Sequence, residues 1–123
     1  MTRTIPVSGK FTKRQRAVYD AVLRVLRAST QRLKPGVLPK DWQKAAEQQM
    51  TDELLGLGLL KPRDVKKQTD DAPAVKKYFM HGVGHPIGLD VHDVGDTTQP
   101  MEAGWVMTVE PGIYIPEENI GVR

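Results

Sequence analysis

Apolar residues return at Val18, Ala21, Val22 and Val25, a spacing of i, i+3, i+4 and i+7 that predicts a helix running to about Arg32. Thr12-Lys13-Arg14-Gln15 supplies its start as a capping box, the Thr12 hydroxyl accepting from the Gln15 amide while the Gln15 side chain reaches back. Lys34-Pro35-Gly36 ends it. A second helical pattern begins near Asp41, with Trp42, Ala45, Ala46, Gln49, Met50, Leu54 and Leu57 on or near one face and Gly56 and Gly58 as its stop. Both helices read as scaffold, with Trp42 and Met50 as core residues rather than ligand contacts. Before them, TRTIPV (residues 2–7) predicts a short strand closed by the turn pair Ser8-Gly9. After them, KPRDVKKQTDDAP (61–73) is polar throughout and predicts a loop.

From Tyr78 onward glycine recurs and helix formers thin out. WVMTVEPGIYI (105–115) predicts two strands with a turn or bend at Pro111-Gly112. The order strand, two helices, strands implies an α+β fold in which helices cover one face of a sheet.

Length adds one constraint to this picture, since 123 residues make at most one domain. Cysteine is absent, which excludes disulfides and cysteine-based zinc sites. No run of about 18 apolar residues exists to span a membrane, and MTRTIPVSGKFTKRQR has no apolar stretch of the secretory type. The expectation is a soluble cytoplasmic protein.

The net charge of +3 hides an asymmetry: residues 1–80 carry 17 Lys/Arg against 8 Asp/Glu, and residues 81–123 carry one Arg against 7 Asp/Glu. The basic residues follow a helical pattern with no interleaved aromatics to stack bases, so they read as a solvated face rather than a nucleic-acid site.

The acidic part carries the candidate chemistry. All three histidines, His81, His85 and His92, lie in HGVGHPIGLDVHD (81–93). His81 and His85 have the i, i+4 spacing of a helical zinc site, but Gly82 stands where such a site needs its glutamate. Three glycines and Pro86 across residues 82–88 also oppose a helix. An extended, closely approached backbone fits better, with Leu89 and Val91 on one face of a strand and Asp90 and His92 on the other. Glu110 is the second anomaly, a lone carboxylate in the apolar run WVMTVEPGIYI. If buried it needs a cation, a proton or strong donors; at an exposed strand end it needs none of these.

HGVGHPIGLDVHDVG together with MEAGWVMTVEPGIYI resembles the C-terminal half of the pita-bread metallopeptidases, and most of all the Xaa-Pro aminopeptidase (aminopeptidase P) and prolidase family. TRTIPVSGKFTKRQRAVYDAVLRV is similar to the preceding segment of the same enzymes. The resemblance implies a partial pita-bread fold, helices packed on an antiparallel curved sheet. It also implies hydrolysis of the bond between an N-terminal residue and proline, with two divalent ions, commonly manganese though cobalt or zinc would serve, activating the attacking water.

By motif position, His85 and Glu110 match metal ligands, and Glu110 also matches the group that handles the proton of the attacking water. His81 and His92 match histidines that contact substrate and assist catalysis. Arg123 matches the arginine that orders the substrate site. The family's two aspartate ligands and its last glutamate fall outside residues 1–123, so the resemblance implies a catalytic domain cut at both ends and inactive by itself. It also implies a proline-containing peptide as partner and a homo-oligomer, as its members often form. A metal-free binding module of the same fold is the competing reading, and retention of His81, His85, His92 and Glu110 argues against it.

Overall fold

The computed structural model describes residues 3–123. Helix α1 spans Lys13–Arg32 and its capping box forms as expected, the Thr12 hydroxyl accepting from the Gln15 amide at 3.2 Å and the Thr12 amide donating to Gln15 Oε1 at 2.9 Å. Helix α2 spans Pro39–Gly56, two residues earlier than Asp41, because Pro39 occupies the first turn, where its missing N–H costs nothing. It ends in a Schellman arrangement. The Leu59 and Gly58 amides donate to the Leu54 and Leu55 carbonyls at 2.9 and 3.0 Å, and Gly58 takes φ +72°.

The two helices pack through the residues their spacing selected. Val18, Ala21, Val22 and Val25 of α1 meet Trp42, Ala46, Met50 and Leu54 of α2 in one core, joined by Val75, Phe79, Val83, Ile113, Ile115 and Val122. Met50, Leu54 and Phe79 are fully buried; removing such side chains from water contributes about 2–3 kcal/mol each. The Trp42 indole N–H donates to the Ser29 carbonyl at 2.8 Å, locking the helix crossing.

Three sequence expectations are corrected. The strand expected over TRTIPV begins at Thr2, outside the described residues. Arg3–Pro6 form no strand, because the Thr4 hydroxyl itself takes both backbone groups of Arg123, accepting from its N–H at 3.2 Å and donating to its C=O at 3.1 Å. The turn after it does form, with Gly9 N–H donating to the Pro6 carbonyl at 2.9 Å. Second, the 61–73 connection contains helix α3, Pro62–Lys67, started by Pro62 and by Asp64, whose carboxylate accepts from the Lys61 amide at 2.9 Å.

Third, Trp105–Glu110 is not a regular strand. It runs antiparallel to residues 83–87 as a ribbon: Ile87 N–H donates to Val106 C=O, Thr108 to His85 and Glu110 to Val83, at 3.1, 2.9 and 2.6 Å. Each pair carries one backbone bond where a regular ladder has two, because two of the remaining amides go to side chains. His85 N–H goes to Thr108 Oγ1 at 3.0 Å and Val83 N–H to Gln43 Oε1 at 2.6 Å.

Past Pro111-Gly112 the chain does not fold back on this ribbon. It enters strand β1, Ile113–Ile115, which pairs antiparallel with β2, Ile120–Val122, across a 3₁₀ turn at Pro116–Glu118. The α+β class therefore stands, with the ribbon and this two-stranded sheet packed against α1 and α2 among the described residues.

Candidate functional site

The ribbon register assembles the site. With Val83, His85 and Ile87 opposite Glu110, Thr108 and Val106, period-two alternation turns His85 and Glu110 to one face on neighbouring pairs. His85 Nε2 and Glu110 Oε1 come to 3.1 Å, both side chains being about one-fifth exposed. The other oxygen of Glu110 faces the guanidinium of Arg123, which β2 delivers from the far end of the chain. One oxygen of the largely buried Glu110 carboxylate is thus held by a strong donor, Arg123.

The imidazole of His85 has a defined orientation. Its Nδ1 lies 2.8 Å from the Pro86 carbonyl, which only accepts, so Nδ1 carries the hydrogen. In the neutral ring Nε2 then aims a lone pair at Glu110 Oε1. Two electron-rich atoms at this distance require a cation between or beside them, either a proton or a metal ion. His85 and Glu110 therefore fit a divalent ion as ligands, but they supply only part of a set. Among the described residues no group of three His, Asp or Glu side chains converges to hold one.

His92 joins the cluster from the adjoining loop. Its ring centroid lies 4.3 Å from that of His85 with a tilt of 56°, and the side chain is exposed. The strand expected over GLDVHD does not form. Asp93 instead accepts from the Leu89 and Val94 amides at 2.8 Å each, and Gly88 N–H donates to the Asp90 carbonyl at 3.2 Å, so residues 88–92 are a chain of bends. Leu89 and Val91 are consequently both exposed rather than one buried face of a strand.

His81 stands apart from the other two. Its Nδ1 donates to the Gly82 carbonyl at 2.8 Å, its Nε2 lies 2.8 Å from the Tyr114 hydroxyl, and its ring meets Phe79 and Tyr114 edge-on. Burial raises the pKa of that Tyr114 hydroxyl, keeping it a neutral donor. Tyr114, Thr108 and Gln43 are the functional-site neighbours that sequence reading missed. Thr108 had a signal, two residues before Glu110 on the same strand face; Gln43, on a helix far back in the chain, had none.

His85, Glu110 and Arg123 open onto a cavity of about 830 Å³, whose opposite wall is the Tyr19, Leu23 and Leu26 side of α1. The site thus combines a cation-demanding His–Glu pair, an arginine and a partly apolar cleft large enough for a short peptide.

The profile of Metallopeptidase family M24 matches residues 1–123. The Xaa-Pro aminopeptidases of Haemophilus influenzae and Escherichia coli are 43% and 42% identical to this chain over its full length. The chain spans only 31% and 30% of those two relatives. A solved structure of zinc-substituted E. coli aminopeptidase P in complex with product superposes with a TM-score of 0.86 at 40% identity, over 98% of this chain and 30% of that one.

Proposed function

This chain belongs to metallopeptidase family M24, and from that membership we propose that it is part of an Xaa-Pro aminopeptidase, hydrolysing the bond between an N-terminal residue and proline. Its fold is the corresponding part of the aminopeptidase P pita-bread domain. The observation that carries the reading is the 3.1 Å approach of His85 Nε2 to Glu110 Oε1 at the mouth of the cavity.

In this reading His85 and Glu110 are ligands to divalent metal, with manganese the proposed ion because carboxylate-rich sites favour it. The metal, when bound, supplies Lewis acidity and lowers the pKa of water. The chain's own residues do the rest. Pro86 fixes the His85 ring so that Nε2 faces the site. Glu110 would hold the ion through one oxygen, keep the other on Arg123 and, in this reading, take the proton of the attacking water. Exposed His92, beside His85, is the group that can donate a hydrogen bond to the oxygen developing charge on the scissile carbonyl. His81, with Nδ1 on the Gly82 carbonyl and Nε2 facing the Tyr114 hydroxyl, is in this reading the second histidine to contact substrate and assist catalysis.

The 123 residues contain two ligands and so are inactive alone in this reading. A cytoplasmic location, a homo-oligomeric state and peptides with proline in second position as partners belong to the same proposal. No helix among the described residues is long and apolar enough to cross a membrane.

The test is to express the longest reading frame that contains this segment and measure release of the first residue from Xaa-Pro tripeptides and Xaa-Pro dipeptides with added manganese, cobalt or zinc. Tripeptide cleavage that His85→Ala and Glu110→Gln each reduce by at least about a thousandfold is the expected result, since each removes a ligand or base outright. Cleavage confined to dipeptides would make the enzyme a prolidase instead, and full activity in Glu110→Gln would end the assignment of that residue.

A further inference from the structure

We propose that Gln43, backed by Glu47 and Lys76, is a positioning residue for this site, clamping the histidine ribbon to α2 and thereby setting where Glu110 sits; the catalytic part of this inference rests on the peptidase reading above.

The need for a clamp is written in the ribbon. Val83 lies between Gly82 and Gly84, so its neighbours impose little backbone restraint. In a regular antiparallel pair its N–H would donate to the Glu110 carbonyl. It donates instead to Gln43 Oε1 at 2.6 Å, while its carbonyl accepts from the Glu110 N–H, also at 2.6 Å. Val83 is therefore gripped from both sides, by Gln43 at its N–H and by Glu110 at its carbonyl.

Gln43 is itself oriented. Its Nε2 donates to Glu47 Oε1 at 2.7 Å, one helical turn on, and the same oxygen accepts from Lys76 Nζ at 2.6 Å. With Val83 demanding an acceptor and Glu47 a donor, the amide has a single satisfactory orientation. Lys76 also reaches the His81 carbonyl at 3.5 Å and lies over the Phe79 ring at 5.6 Å from its centroid. An unbroken series of hydrogen bonds thus runs from Lys76 through Glu47, Gln43 and Val83 to the backbone of Glu110. These side chains bond to one another and to ribbon backbone rather than to the side chains of His85, Glu110 or Arg123, which makes them positioning rather than catalytic residues.

Charge logic supplies a rescue. Gln43→Glu puts two carboxylates face to face and removes the donor to Glu47. Combining it with Glu47→Gln restores a donor–acceptor pair between the two positions: the new carboxylate accepts from Val83 and from the new amide nitrogen, and the amide's own oxygen becomes the acceptor open to Lys76 in place of the carboxylate oxygen that Gln43 and Lys76 had shared.

The experiment uses the longest reading frame that contains this segment and reads amide exchange at Val83 and Glu110 by NMR beside kcat and KM on an Xaa-Pro tripeptide. Gln43→Leu and Gln43→Glu are each expected to speed exchange at both amides and to lower kcat about tenfold at nearly unchanged KM, the size of effect that small misplacement of a reacting group produces. The exchanged pair Gln43→Glu/Glu47→Gln is expected to recover both. A lowered Tm with kcat unchanged in Gln43→Leu would show a role confined to stability and overturn the positioning role. Wild-type exchange and kcat in Gln43→Leu, or an exchanged pair no better than Gln43→Glu, would overturn the clamp. Absence of tripeptide cleavage in the unmutated protein would instead count against the proposed activity, and the exchange measurements would decide the clamp by themselves.

Discussion

Gly84 sits where three segments meet. A Cβ built there would lie 2.0 Å from the Thr108 carbonyl oxygen and 2.9 Å from Cη2 of the Trp42 ring. Neither neighbour can yield easily, since one is backbone and the other is a buried ring hydrogen-bonded to Ser29. Gly84→Ala is therefore expected to cost about 3 kcal/mol, the upper part of the range for overpacking a dense core. Urea denaturation measures it, and a loss below about 1 kcal/mol would contradict so close an approach of ribbon to helix. Gly112 is a related case, its missing Cβ leaving room for the Tyr114 hydroxyl that would otherwise lie 2.8 Å away, the hydroxyl that faces His81. The glycines around the histidines thus serve close packing as much as backbone freedom.

At the scale of elements, Arg14 ties three of them together. From the first turn of α1 it pairs bidentately with Glu118 in the 3₁₀ turn before β2, at 2.7 Å for each bond, and its Nη1 donates to the Leu57 carbonyl that ends α2, at 3.0 Å. The hydrogen bonds from Arg14, reinforced by its charge and opposed by desolvation, hold the Glu118 carboxyl below its ordinary value of 4.5. A carboxyl whose folded pKa is depressed stabilises the fold above its unfolded value, and that contribution disappears as pH falls through the folded one. Melting temperatures of the wild type and Glu118→Gln should therefore differ at neutral pH and converge in acid below the ordinary carboxylate range. A gap that persists unchanged in acid would mean that the ion pair is not its source. Other arginines of α1 are similarly occupied: Arg16 pairs with Asp20 and Arg24 with Glu53, and Arg32 donates to Gln49, so much of the basic face is already partnered within the fold.

Across the whole molecule one contiguous core joins residues from Val18 to Val122. The two tryptophans sample different parts of it: Trp42 is buried between the helices, and Trp105 lies at the edge of the core where the ribbon begins. Unfolding followed separately by fluorescence in Trp42→Phe and Trp105→Phe is expected to coincide in each variant with its own far-ultraviolet circular dichroism, as one cooperative unit requires. An earlier fluorescence transition in Trp42→Phe, where only Trp105 reports, would mean that the ribbon and its site open before the helices. The helices were legible in the sequence because their signals are local: a capping box within four residues, an apolar stripe within two turns and a glycine stop. His85 and Glu110 were legible as residues, one from its glycine-flanked motif and the other as a carboxylate out of place in an apolar run. Their meeting was not, because it depends on pairing residues 83–87 with 106–110 across a connection that periodicity does not describe. For the same reason the strands expected over residues 3–6 and 88–93 failed to form, one replaced by a Thr4 side chain bonded to Arg123 and the other by the Asp93 carboxylate capturing nearby amides. The sequence by itself determined the two long helices and marked the candidate residues for the site; tertiary structure alone decided which of those residues touch, because backbone donors are claimed by whichever acceptor the packed chain brings nearest.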